Sequence, residues 1–175
     1  SFMRECQLKI KKIFAICWGL QVAVTVAGGQ VKKSDKGAHR GIAHNIKVNN
    51  IGSNHKIYLN KKRQFNSPAF NFDEVVKIPE GATLLSSNEL NNVMGLNFKT
   101  NKSDIWGIQY HPEITYEKMV SLIHFRKERL LNKGAFKDQD EINNHILMIE
   151  NEIKNTEKIS RMKELENWIN YLYEN

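Results

Sequence analysis

Residues 13–21 read IFAICWGLQ, and the fold turns on how this stretch divides. Ile13 to Ile16 is a short run of branched and aromatic side chains, the composition of a buried strand. Trp18 to Ala27 is rich in small and branched apolar residues and reads as a buried helix, which Gly28-Gly29 stops. Cys17 falls at the junction. A small core residue is the ordinary occupant of such a place. A nucleophile is the other reading, because the unpaired N–H groups and dipole of a helix N-terminus favour a thiolate placed there. Strand, Cys17, helix is the cysteine counterpart of the G-x-S-x-G elbow, with Ala15 in place of the first glycine and Gly19 leaving space for the turn.

Working outward, Phe2 to Lys9 resembles the end of an amphipathic helix, with Cys6 as one of its packing residues. The opening is therefore helix, strand, turn, helix, the pattern of an α/β sheet with crossover helices. Asn45 to Val48, His55 to Leu59, Asp73 to Ile78 and Ala82 to Ser86 read as strands, the last two joined by Pro79-Glu80-Gly81. Val93 to Lys99 and Ile105 to Tyr110 read as two more, around a polar loop at residues 100–104. The last third is helical. Met119, Leu122, Ile123 and Leu130 form one apolar stripe. Ile142, Ile146, Ile149 and Ile153 form another, after an N-cap at Asp138 with Glu141 as its partner. Leu165, Trp168, Ile169 and Leu172 form the third. All three are expected to be packing faces.

The chain of 175 residues is long enough for a sizeable core, and its 41% hydrophobic and 26% charged residues are ordinary for a soluble protein. No apolar stretch reaches bilayer length, and no signal peptide is visible in residues 1–12. The two cysteines make no disulfide framework, which points to a reducing compartment, the cytoplasm. The formal charge of +7 gathers at Lys32 to Arg40 and at Lys61-Lys62-Arg63. Neither stretch has interleaved aromatic residues, so a solvated basic surface is the reading and nucleic acid is not an expected partner. No membrane partner and no cofactor or metal are implied.

A second chemical stretch is Trp106-Gly107-Ile108-Gln109-Tyr110-His111-Pro112-Glu113. In extended backbone, residues two apart point the same way, so His111 and Glu113 share a side. Pro112 fixes the backbone between them and ends the strand. A thiol nucleophile needs a base and a group that orients the base; Cys17, His111 and Glu113 supply these roles. Taken singly, His111 reads as a surface histidine at a strand end. Glu113 reads as a charge before a helix that starts near Thr115.

Taken together, these residues resemble a known family. Cys17-Trp18-Gly19-Leu20-Gln21 is similar to the C-x-G-x-Q elbow of class I, triad-type glutamine amidotransferases. Gly107 to Glu113 is similar to that family's G-x-Q-[FY]-H-P-E. The likeness covers roughly Ser1 to Leu131 and leans toward the stand-alone GMP-synthase-like members. It implies a flavodoxin-like α/β fold, with a partly parallel sheet flanked by helices, over residues 1–131 and a helical extension over residues 132–175. It implies that Cys17 attacks the glutamine side-chain amide while His111 moves the proton and Glu113 holds the imidazole. It also implies glutamine contacts from the Trp18 N–H and Gln21.

The family's S-H-G-D-x-V stretch matches Phe70-Asn71-Phe72-Asp73-Glu74-Val75, so Asn71 and Phe72 are further candidate substrate contacts, with altered side chains. The family fold opens with strands and a glycine-rich loop that precede the helix before the elbow. The chain here begins at that helix, so a fragment of a longer, N-terminally truncated reading frame is expected, with little activity by itself. No G-x-x-x-x-G-K-[ST] loop follows, so the ammonia acceptor is expected on a separate chain. The alternatives are a γ-glutamyl hydrolase of the same fold and a truncated, non-catalytic relative.

Overall fold

Branched and aromatic residues at 13–16 make the first strand, β1 (Lys12–Ile16), and one residue later the chain turns into α2 (Trp18–Val26). The computed structural model describes residues 1–174. Before β1 lies α1 (Phe2–Lys9), and after α2 come β2 (Gln30–Lys33), β3 (His39–Val48) and the single turn α3 (Asn50–Ser53). The middle of the chain continues with β4 (Gln64–Asn71), β5 (Asp73–Lys77), β6 (Thr83–Ser87), β7 (Gly95–Thr100) and β8 (Ser103–Ile108). The end is helical: α4 (Tyr116–Asn132), α5 (Gln139–Asn155), α6 (Lys158–Arg161) and α7 (Lys163–Tyr173).

Six strands form the main sheet in the order β1-β8-β7-β6-β3-β4, and β2 with β5 forms a small second sheet. The pair β1–β8 is parallel, with Ala15 opposite Gly107 and Ile16 opposite Ile108; the other pairs are antiparallel. This pairing brings the ends of β1 and β8, and with them Cys17 and the segment after Ile108, side by side.

Strand alternation then sorts the core onto two faces. Ala15 and Ile105 face α2 and meet Leu20, Ala23 and Val24. On this face Gly107 has a physical purpose, since a Cβ there would lie 2.4 Å from Leu20 Cδ1. Phe14, Trp106 and Ile108 face the other way, toward α7. There Trp106 stacks on Tyr171 with ring centroids 4.3 Å apart, and Phe14 stacks on Trp168 at 5.3 Å. A third cluster joins Ile42 of β3 to Ile123 and Leu130 of α4 and to Ile142, Ile146 and Ile149 of α5. Gly41, at φ +106°, lets these helices come close, because a Cβ there would meet Ile149 and Ile123.

The structure departs from the sequence reading in several places. It adds β2 and residues His39 to His44 of β3, neither read as strand. The segment after β8 turns at Pro112 instead of running extended, with the Ile114 N–H donating to His111 O at 3.2 Å. His55 to Leu59 is no strand. It contains a 3-10 turn over Lys56–Tyr58, started by the His55 ring, which accepts the Ile57 N–H at 3.2 Å. Its consecutive residues Ile57 and Tyr58 are both buried, which a strand with one covered face would not do. The sequence reading also misses β4, whose Pro68 argues against a strand. The sheet accommodates it because β4 is an edge strand, where the missing N–H costs no ladder bond. In the last stripe only Trp168 is buried; Ile169 and Leu172 are about half exposed, at 52% and 46%. Finally, Lys61 is not part of a solvated surface. Its side chain is 2% exposed and its Nζ donates to Glu164 Oε2 at 2.8 Å. The Asp138 cap matches expectation: its Oδ1 accepts the Glu141 N–H at 2.8 Å. Among the described residues, no helix is long and apolar enough to cross a membrane.

Candidate active site

Cys17 sits where β1 hands over to α2, and its backbone takes φ 51° and ψ −108°. A non-glycine residue rarely adopts such a positive φ; the conformation costs on the order of 1–3 kcal/mol and persists only where its surroundings enforce it. Here they do. The Cys17 N–H donates to Ile108 O at 2.7 Å, and its carbonyl accepts the Gln21 N–H at 3.1 Å to close the first helical turn. The strained residue is thus the cysteine itself. Gly19, expected to make room for the turn, has open space where a Cβ would be. The first turn of α2 carries no acidic residue, so nothing there competes with an anion for the unpaired N–H groups.

Three further side chains order this corner. Gln109 Nε2 donates to Cys17 Sγ at 3.4 Å. Gln21 Nε2 donates to Gln109 Oε1 at 3.1 Å and to Asp73 O at 3.0 Å. A buried relay therefore ties the sulfur to α2 and to the start of β5. The sequence reading does not single out Gln109, although it occupies the Q position of the quoted G-x-Q pattern.

The segment after β8 delivers the second half. His111 Nδ1–H donates to Glu113 Oε1 at 2.6 Å. Burial disfavours a charge on the imidazole, but the Cys17 thiol and the Glu113 carboxylate beside it outweigh burial and push its pKa up to about 9. His111 is held further by its own N–H, which donates to Pro68 O at 2.7 Å. Thr115, two residues past Glu113, caps α4 by accepting the Lys118 N–H at 3.3 Å. The structure therefore brings Cys17, His111 and Glu113 together from two ends of a parallel strand pair.

The other predicted residues fall around a cleft of about 480 Å³ beside Cys17, whose walls include Trp18, Phe70, Phe72, Arg126 and Arg129. Trp18 is 74% exposed at its mouth. Phe72 lies edge-on to Phe70, with centroids 6.0 Å apart. Asn71 borders the cleft, but its side chain is fully engaged elsewhere. Its Oδ1 pairs with His39 Nδ1 at 2.9 Å, and its Nδ2 donates to Asp73 O and Asn91 Oδ1. The Asn71 side chain is therefore turned away from the cleft, and its backbone pairs with His39 across β3 and β4. Arg126 and Arg129 escape the sequence reading because they sit on α4, more than a hundred residues from Cys17 in sequence, where they read as ordinary surface charge.

Comparison with known proteins places the chain in a family. The family model "Glutamine amidotransferase class-I" matches residues 2–128. The chain belongs to the class I glutamine amidotransferase family. It is 30% identical over 127 residues to a gamma-glutamyl-L-1-hydroxyisopropylamide hydrolase of a Pseudomonas species, covering 71% of this chain and 43% of that protein. It is 29% identical over 104 residues to a subunit of the glutamine-hydrolyzing GMP synthase of Methanocaldococcus jannaschii, covering 59% of this chain and 52% of that one. The chain thus spans about half the length of these relatives. Its fold matches a crystallised glutamine amidotransferase of Thermotoga maritima with a TM-score of 0.72 at 19% identity, over 99% of this chain and 67% of that one.

Proposed function

We propose that the intact protein hydrolyses the side-chain amide of glutamine through Cys17, His111 and Glu113. The observation that carries this reading is the His111 imidazole set against both the Cys17 thiol and the Glu113 carboxylate. Cys17 Sγ attacks the amide carbon, and the thiol proton resides on His111. The tetrahedral oxyanion is met by the Trp18 N–H at the start of α2, where helical N–H groups have no partner within the helix. Collapse breaks the C–N bond, and His111 gives its proton to the departing nitrogen, which leaves as ammonia. Water then attacks the glutamyl thioester, His111 takes its proton, and glutamate leaves as the thiol re-forms. Glu113 holds the imidazole throughout, and Gln21 keeps Gln109 aimed at the sulfur. Arg126 and Arg129 give the cleft a positive side suited to the substrate's α-carboxylate. The backbone at Asn71 and Phe72 borders the same space.

The ammonia acceptor is assigned to a separate chain, in keeping with the similarity to a protein that is itself one subunit of a GMP synthase. A second reading, hydrolysis of γ-glutamyl amides without transfer, is favoured by the Phe70 and Phe72 walls, which suit an apolar group on the amide nitrogen, and by the Pseudomonas relative. One experiment separates the two. The intact protein is assayed for ammonia from glutamine and for amine from an N-alkyl γ-glutamyl amide. Preference for glutamine supports the first reading, and preference for the alkyl amide supports the second. Replacing Cys17→Ala is expected to remove both activities, by about 10⁴-fold or more. Undiminished turnover in that variant would discard both readings.

A further inference from the structure

Residues 110–114 lie beyond the end of β8 and outside the ladder bonds of the sheet, yet they carry the imidazole and the carboxylate. Besides the His111 N–H bond to Pro68 O, their support comes from the C-terminal helices. Arg161, the last residue of α6, is only 7% exposed. Its Nη1 donates to the carbonyl of Pro112, and also to that of Ile114 at 2.9 Å. These two carbonyls bracket Glu113. On the other side of His111, Tyr110 is fully buried and its hydroxyl donates to Glu164 Oε1 at 2.6 Å. Glu164, in α7, is itself 0% exposed and paired with Lys61. Burying a guanidinium is expensive unless its donors are used, and here Nη1 is used on two backbone carbonyls rather than on a carboxylate.

We infer that Arg161 is a positioning residue for the reaction: it fixes the backbone on both sides of Glu113 so that the carboxylate stays on His111, while Glu164 fixes the residue before His111. The inference rests on the Cys17–His111–Glu113 reading for its catalytic consequence. The ionisable groups that face the imidazole are Cys17, from the start of α2, and Glu113, from its own segment. Those around the guanidinium are Lys61, Tyr116 and Glu117. Arg161 therefore acts on His111 through backbone geometry, and a change in His111 upon its removal reports position.

The test uses the intact protein and its Arg161→Met, Arg161→Gln and Arg161→Lys variants. The His111 imidazole is titrated by NMR, alongside thermal unfolding and steady-state kinetics. In the wild type His111 is expected to titrate near 9; in Arg161→Met it is expected to fall toward the ordinary 6.5 as Glu113 loses its hold. The kcat is expected to drop roughly 10- to 100-fold with little change in KM. Arg161→Lys, which keeps a charged donor nitrogen on a shorter, unforked side chain, is expected to recover part of both. If Arg161→Met does not fold, Arg161→Gln and Arg161→Lys carry the same comparison. A lowered melting temperature with an unchanged His111 titration and unchanged kcat would reduce Arg161 to a structural residue and overturn the inference. A wild type inactive on every γ-glutamyl amide would sink the functional reading, while the NMR titration would still decide whether Arg161 holds His111 and Glu113 together.

Discussion

The two halves of the candidate site are held by different means. Cys17 is fixed by its neighbours in sequence and by one strand: β1 before it, α2 after it, and Ile108 O beside it. His111 and Glu113 sit on a segment with no ladder of its own. They are fixed by Pro68 of an edge strand and by Arg161 and Glu164, about 50 residues further along the chain. A nucleophile placed by local geometry announces itself in a short motif. A base and its orienting acid need supports that the motif does not contain. The Cys17 half should therefore tolerate distant changes that disable the His111 half.

Four variants sharpen that contrast. Glu113→Gln keeps the shape and removes the charge, and is expected to cost about 10²–10⁴-fold in kcat. It also predicts a pH signature. A raised histidine pKa means that the imidazolium is favoured in the folded protein, so its contribution to stability is full below about 6.5 and is lost as pH rises through about 9. In the wild type an alkaline fall in activity is expected near 9, and in Glu113→Gln at lower pH. An alkaline limb that does not move would show that Glu113 does not set the imidazole.

Lys61→Met strands Glu164 as a lone buried carboxylate and is expected to lower stability by about 3–5 kcal/mol in denaturant unfolding. Replacing Lys61 and Glu164 together by Met and Leu should cost less than the single change. The two outcomes separate a buried pair from a merely apolar site. The smallest effect is on the Cys17 side. Gly107→Ala pushes a methyl into Leu20 Cδ1, 2.4 Å away, and is expected to cost ~1–3 kcal/mol, since Leu20 is a side chain that can shift. Activity per folded molecule should fall only modestly, because Cys17 keeps its bond to Ile108 O. A loss comparable to that of Glu113→Gln would break the proposed difference between the halves.

Much of this was legible in the sequence because it depends on short-range pattern. The strand–Cys17–helix order follows from apolar residues at 13–16 and a helix-forming run after them. His111 and Glu113 were rightly paired from their spacing across a proline, but the backbone there turns, with the Ile114 N–H donating to His111 O at 3.2 Å, where extended backbone was expected. The Asp138 cap follows from a side chain that reaches three residues ahead. Where the sequence misled, a partner distant in the chain reversed a local preference. Lys61 looked like solvated charge until Glu164 was placed against it. β4 went unread, and its Pro68 is tolerated because β4 is an edge strand. Ile169 and Leu172 continued a periodic stripe, but α7 turns only Trp168 of that stripe fully into the core, along with Asn167, whose amide donates to Ile57 O and Leu59 O at 2.9 Å.

By itself, then, the sequence determined the proposed nucleophile, the base and acid proposed to serve it, and the α/β order that carries them, because these are set by neighbours within a few residues. Tertiary structure alone decided that Gln109 faces the sulfur, that Asn71 turns its side chain to His39 rather than to the cleft, and that Arg161 grips the backbone around Glu113. Those arrangements depend on which buried polar groups find partners once the chain has closed on itself, and a buried donor or acceptor left without one is costly.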